Sequence, residues 1–137
     1  MRVVIDTNVL MSGIFFNGPP HDILQLWEKK KLTFITSEEI FSEYVRVGNE
    51  LSRKLSSDDL EPIIWLLSVN SIMVKQKKLK QQICTDKDDD KFIACALGGD
   101  AGIIISGDKH LLSQNGVFGL EILSPRDFLV AYFSGTR

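Results

Sequence analysis

The chain is poor in the side chains that bind soft metals or build covalent scaffolds. Of its 137 residues, two are cysteine and two are histidine. Cys84 and Cys95 form no CxxC, and one pair is not a disulfide framework. A zinc site has no Cys/His cluster to build on. Cys95 lies in the apolar run Phe92 to Leu97 and reads as a small buried thiol, which fits a reduced, cytoplasmic setting. Neither sign of charge dominates: 16 basic residues face 18 acidic ones, a net charge of −2. That excludes a general basic coat, so any nucleic-acid contact must come from a local patch. No apolar run approaches the ~20 residues that span a bilayer, so no membrane partner is expected. Met1 to Asp6 is too short and meets an acid too early to read as a leader. GxSxG, GxxxxGK[ST] and GxGxxG are all absent, which leaves no serine-hydrolase elbow and no phosphate loop.

What is present is an ordinary globular balance, with 44% hydrophobic and 25% charged residues. The length predicts one domain over residues 1–137, large enough to bury about two-thirds of its unfolded surface. Short apolar runs alternate with helical patterns. Val3-Val4-Ile5, Leu32 to Ile35, Ser71 to Val74, Ile103 to Ile105 and Leu120 to Leu123 read as strands. A helix is expected from about Pro20 to Lys30, with Ile23, Leu24 and Trp27 on its inner face. Thr36-Ser37-Glu38-Glu39 reads as a capping box with Thr36 as N-cap, opening a helix that Gly48 would end. Further helices are expected from Ser56, from the acidic run Asp86 to Asp90, from Asp108 and from Ser124-Pro125. Strands alternating with helices predict an α/β sandwich with a parallel sheet. In such sheets working residues gather beyond the carboxyl ends of the strands.

Four acids stand out against that map. Asp6 directly follows the first strand, and Asp108 follows Ile103-Ile104-Ile105-Ser106-Gly107. Glu43 lies three residues after Ile40 and four before Val47, on or beside an apolar helix stripe. Asp90 precedes Ile93, Ala94 and Leu97 in the same way. Each alone has a bland account as a cap or a stripe-margin charge. Together they can converge on one sheet edge, where carboxylates repel unless a cation joins them. A hard ion, Mg²⁺ or Mn²⁺, takes oxygen ligands and is completed by water and substrate phosphate. Such a site hydrolyses phosphodiesters with water that the metal activates.

These segments resemble a known family. Val3-Val4-Ile5-Asp6-Thr7-Asn8-Val9-Leu10 is similar to the opening of the PIN domain, the nuclease fold named after the PilT N-terminus. Ser37 to Tyr44, Asp86 to Ala96 and Ile105 to Leu112 resemble its later acidic motifs, in order and over most of the chain. The pattern is most like the bacterial branch described as the toxin component of toxin–antitoxin pairs. The resemblance implies a five-stranded parallel sheet in a three-layer sandwich and a Mg²⁺- or Mn²⁺-dependent ribonuclease. It implies RNA as substrate and a cognate antitoxin as partner. Asp6, Glu43, Asp90 and Asp108 match the metal-binding acids, with Asp86 as a further candidate. Asn8 and Ser106 match the polar residues that orient water or carboxylates. Among Asp86, Asp88, Asp89 and Asp90, the apolar-face register favours Asp90.

Other features read more plainly. Lys29-Lys30-Lys31 and the lysines from Lys75 to Lys80 read as solvated surface, with an RNA-backbone contact as the rival reading. Phe15, Phe16 and Trp27 read as core; exposed, they would suit a homodimer. His110 reads as surface. Two rival functions remain: a catalytically silent PIN module that binds RNA or a protein, and a receiver-type phosphoacceptor domain. The latter needs an acidic pair after the first strand and an Asp after the third, where this chain has a single Asp6 and a run of lysines.

Overall fold

The computed structural model describes residues 1–134. Five parallel strands form its sheet: β1 (Arg2–Ile5), β2 (Thr33–Thr36), β3 (Ile72–Met73), β4 (Ile103–Ile105) and β5 (Glu121–Leu123). They lie in the order β3-β2-β1-β4-β5. Helices flank the sheet: α1 (Thr7–Phe15), α2 (Pro19–Glu28), α3 (Glu38–Leu55), α4 (Leu60–Asn70), α5 (Asp90–Gly98), α6 (Lys109–Leu112) and α7 (Pro125–Phe133). Among the described residues no helix is long and apolar enough to cross a membrane.

The two central strands explain the arrangement. Val3, Val4, Ile5, Ile104 and Ile105 are at most 1% exposed. Strands covered on both faces need apolar side chains at every position, and these β-branched runs supply them. Each such side chain contributes about 1.5–3 kcal/mol relative to exposure. Pairing runs Val3 to Ile103, Val4 to Ile104 and Ile5 to Ile105. The chain moves outward from β1 to β2 and β3, then returns to lay β4 on the other side of β1. The carboxyl ends of β1 and β4 therefore flank the switch point of the sheet, where open α/β sheets form their crevice.

Several boundaries differ from expectation. Helix α1, between Asp6 and the Gly18 turn, has no sequence forecast because its buried residues, Thr7, Val9, Leu10, Met11, Gly13 and Ile14, cover more than half of it and leave only Asn8 and Ser12 as a short polar strip. A helix buried on most sides has little polar face to reveal its period. The N-cap of α3 is Ser37, whose Oγ accepts from the Ile40 amide, not Thr36. Gly48 does not end α3, which runs on to Leu55. A Cβ at Gly48 would lie 2.6 Å from Leu60 Cδ1, so the glycine lets α4 approach. Trp27 is buried and stacks on Phe34 with ring centroids 4.9 Å apart. Phe16 is 57% exposed and lies outside the core where it was expected.

The long connection from β3 to α5 is held at both ends. The Val74 amide donates to Thr36 O at 2.8 Å and the Lys77 amide to Ala94 O at 2.9 Å. This needs a backbone-to-backbone approach, because a Cβ at Gly98 would sit 2.1 Å from Lys75 O. Gly98→Ala should therefore force the 75–77 segment off α5. We expect a loss of ~1–3 kcal/mol, the usual range for overpacking, measured by urea unfolding. Unchanged stability would mean that the segment is not tied there.

Candidate active site

The register of β1 against β4 builds the first half of the site. Ile5 faces Ile105, so the residues that follow, Asp6 and Ser106, fall side by side. The ladder continues past the strands: the Asp6 amide donates to Ile105 O at 3.0 Å and the Ser106 amide to Leu123 O at 2.9 Å. Asp6 is 5% exposed and Ser106 fully buried. Ser106 Oγ donates to Asp6 Oδ2 and accepts from the Asp108 amide at 3.0 Å. One hydroxyl thus joins the two strand-end acids. Asp6 Oδ1 caps α1 at the Val9 amide, 2.9 Å away. Asp108 Oδ1 caps α6 at the His110 amide, 2.7 Å away, and His110 itself is exposed. The cap reading and the site reading hold together, since each carboxylate uses one oxygen as a cap.

Burial pushes the Asp6 carboxyl above its usual range, the bonds from Ser106 and Val9 pull it back, and the Asp108 charge pushes it up again. Asp89 is raised to about 6, first by burial and then by the charge of Asp108. The charge of Asp108 thus bears on both Asp6 and Asp89. Among the described residues no lysine or arginine makes an ion pair with any of the three.

Glu43 comes to the same edge, but with partners. Thr7 Oγ1, next to Asp6, donates to its Oε2. The ammonium of Lys91 lies 2.9 Å from its Oε1. Lys91 has a 4% exposed side chain and also reaches Asp88 Oδ2 at 2.8 Å and Asp88 O at 2.9 Å. Burial alone would lower the Lys91 pKa; its bonds to Asp88 and Glu43 outweigh that, and it stays charged. Arg46 reaches Glu43 only at 3.9 Å from an exposed position and adds little. The Tyr44 hydroxyl donates to Ile5 O, which ties α3 to the end of β1.

Asp90, selected by its helix register, is placed differently. Its two oxygens accept from the Ile83 and Cys84 amides at 2.9 and 2.7 Å, so it pins the loop before α5. The acid beside Asp108 is Asp89, which sequence reasoning passed over. A 3-10 turn over Lys87–Asp89 precedes α5 and turns the acids out of α-helical phase. Asp86 caps that turn, accepting from the Asp88 amide at 2.9 Å, and its charge also reaches Asp89. Asn8 stands exposed on the first turn of α1.

Whether these acids fit a divalent ion is a question of donors. Among the described residues no three His, Cys, Asp or Glu side chains form a group close enough to hold a metal together. The donor chemistry does fit. Asp6, Asp89 and Asp108 offer oxygen only and make no lysine or arginine ion pair among the described residues, and the charge of Asp108 raises both Asp6 and Asp89. Mg²⁺ asks for only one or two protein carboxylates beside its waters. Neither cysteine competes as a nucleophile, since burial pushes Cys84 and Cys95 up to about 12 and keeps them as thiols.

Two outcomes follow from this electrostatics. Lys91→Met leaves Glu43 without its main counter-charge. It should destabilise the protein toward the lower end of the ~3–5 kcal/mol seen when a buried pair loses one partner, because Asp88 is largely exposed. Chemical denaturation measures this, and a neutral result would make the pair a surface contact. Asp89 has a folded pKa raised from 3.8 to about 6, so its protonated form favours folding. That contribution is present at low pH and lost as pH rises through about 6. The metal-free melting temperature should lose this contribution between about pH 4 and 6, and Asp89→Asn should remove that part of the pH dependence. An equal slope in both proteins would place Asp89 in water.

Comparison with known proteins agrees with the geometry. Residues 2–110 match the family model described as PIN domain. The chain is 35% identical over 117 residues to the uncharacterized protein MJ1680 of Methanocaldococcus jannaschii, covering 82% of this chain and 74% of that one. PIN domains are generally nucleases and typically use divalent metals. The match spans β1, the Glu43 helix, the acidic turn and the Asp108 cap, and the chain belongs to the PIN domain family.

Proposed function

We propose that the protein is a metal-dependent ribonuclease that hydrolyses RNA phosphodiester bonds at the carboxyl edge of β1 and β4. One observation supports the reading: the Ser106 hydroxyl, donating to the Asp6 carboxylate and accepting from the Asp108 backbone amide, ties together the two strand ends that carry these acids, and among the described residues neither carboxylate has a lysine or arginine ion pair. An arrangement that serves stability alone would separate or neutralise these charges. One or two of the carboxylates of Asp6, Asp108 and Asp89 would hold Mg²⁺ or Mn²⁺, with water in the remaining positions. When bound, the ion supplies an acidified water and offsets charge on the phosphate.

The chain's own residues do the rest. The Ser106 bond fixes the Asp6 carboxylate on a rigid strand end, which is what positioning requires. Lys91 neutralises Glu43, so Glu43 shapes the wall beside Asp6 through Thr7 and adds no net charge. The reading of a silent module rests on that same pair: with Glu43 occupied, the acid set is smaller than the resemblance implies. A receiver-type domain has little support. Its third strand would present an Asp, whereas β3 is a two-residue edge strand whose residues are exposed and which leads into Lys75. We also propose that the protein acts as the toxin of a toxin–antitoxin pair, with its antitoxin, or a second copy, as protein partner. Growth arrest on expression, relieved by a small neighbouring gene product, is the outcome to look for.

Asp6→Asn tests the mechanism. It preserves size and removes one charge. Cleavage of single-stranded RNA with Mn²⁺ should fall by orders of magnitude, while circular dichroism stays that of a folded chain. Millimolar Mn²⁺ should raise the melting temperature of wild type by mass action and that of the variant less. Equal cleavage by both would mean that Asp6 is only a helix cap.

A further inference from the structure

Beside the acids lies a groove of opposite character. A cavity of about 590 Å³ runs between the β3–α5 connection and the start of α5. Lys75, Lys77, Lys78 and Lys87 line it, with the amides of Gln81 and Gln82. All four lysines are exposed. Its inner wall is Asp90 and Lys91, so it borders the centre at the Glu43–Lys91 pair. As a linear run these lysines read as solvated surface; the fold gathers them around one concavity, while Lys29 to Lys31 lie elsewhere.

The groove is built rather than incidental. Its outer wall is anchored at the Val74 and Lys77 amides, and at Ile83 and Cys84 by the Asp90 carboxylate. Gly98 lets the Lys75 backbone seat directly on α5. An anchored wall holds its lysines over the cavity and lowers the ordering cost of binding.

We propose that this groove is the track of a single-stranded RNA backbone, with Lys75, Lys77, Lys78 and Lys87 on its phosphates, delivering the strand to the acids at Asp6. The inference rests on the ribonuclease reading for its destination and on the groove alone for its binding. A polyanion fits because the lysines of the lining outnumber its two acids, Glu39 and Asp90. Asp90 is then a positioning residue, which accounts for a carboxylate aimed at loop amides.

The test is binding without catalysis. A fluorescein-labelled twelve-nucleotide oligouridylate is titrated with full-length Asp6→Asn protein in EDTA, by anisotropy, from 50 to 200 mM KCl. Each phosphate contact in a single strand contributes a slope of about −0.7 in log K against log salt. Adding Lys77→Gln and Lys78→Gln should flatten the slope by about 1.4 and weaken binding at least tenfold at low salt. Lys29→Gln with Lys31→Gln, the same change of charge, should leave both unchanged. Asp90→Ala removes a negative charge yet should weaken binding, because the wall loses its anchor. The track is overturned if both lysine pairs act alike, if Lys77 and Lys78 can be changed without effect, if Asp90→Ala binds tighter, or if no RNA binds. Displacement of the RNA by polyglutamate at equal charge concentration would also overturn it, in favour of an acidic protein partner. Binding as expected, with wild type unable to cleave RNA in Mn²⁺, would sustain the track and remove only the nuclease reading.

Discussion

The carboxyl edge of this protein depends on the in-register pairing of β1 with β4. Ile5 lies beside Ile105, and each next residue inherits that alignment. Asp6 and Ser106 are therefore neighbours before any side chain is considered, and one hydroxyl suffices to bind Asp6 to the turn that carries Asp108. Slippage by one residue would move each side chain to the opposite face of the sheet and separate Asp6 from Ser106 at once. The same apolar pairing holds the sheet together and sets the site, so core stability and site geometry are coupled through those three residue pairs.

Around that pairing the protein handles charge in two ways. On the α3 side, Lys91 is buried against Glu43 and Asp88, and the negative charge is neutralised from within. On the β1–β4 side, Asp6 and Asp89 are both raised, first by burial and also by the charge of Asp108. An uncompensated group of this kind costs stability and suits an exchangeable cation. The division leaves one part of the edge structurally closed and the other open to a ligand, with Thr7 and Asp6 as the adjoining residues.

Much of this was legible in the sequence because parallel strands announce themselves. Val3-Val4-Ile5 and Ile103-Ile104-Ile105 admit few other readings, and an acid just beyond each is placed by the sheet alone. What was not legible depends on packing or on phase. Helix α1 is buried over more than half of its residues, so it shows little period. Gly48 carries the signal of a helix stop but serves the approach of Leu60. Whether Thr36 or Ser37 caps α3 turns on a single backbone torsion. Lys75 to Lys80 were legible as a basic run with an RNA-backbone contact as the rival reading; what no spacing encodes is the fold contact, Lys75 on Gly98, that sets them around a groove.

The acidic run shows most clearly how local geometry divides one sequence pattern among several tasks. Asp86, Asp88, Asp89 and Asp90 look interchangeable as written. A three-residue 3-10 turn advances each residue by about 120°, where an α-helix advances about 100°, so register arguments carried back from α5 drift by the time they reach Asp89. Asp86 then caps the turn and Asp88 holds Lys91. Asp90 faces the loop amides. Asp89 is raised by burial and by the charge of Asp108. An apolar-face argument favours Asp90 because it assumes that a buried carboxylate must face a metal. Two backbone amides at 2.7 and 2.9 Å satisfy a carboxylate equally well. The residue that most resembles an out-of-place core acid is thus held by two loop amides, while its neighbour Asp89 is raised by burial and by the Asp108 charge, with Lys91 opposing.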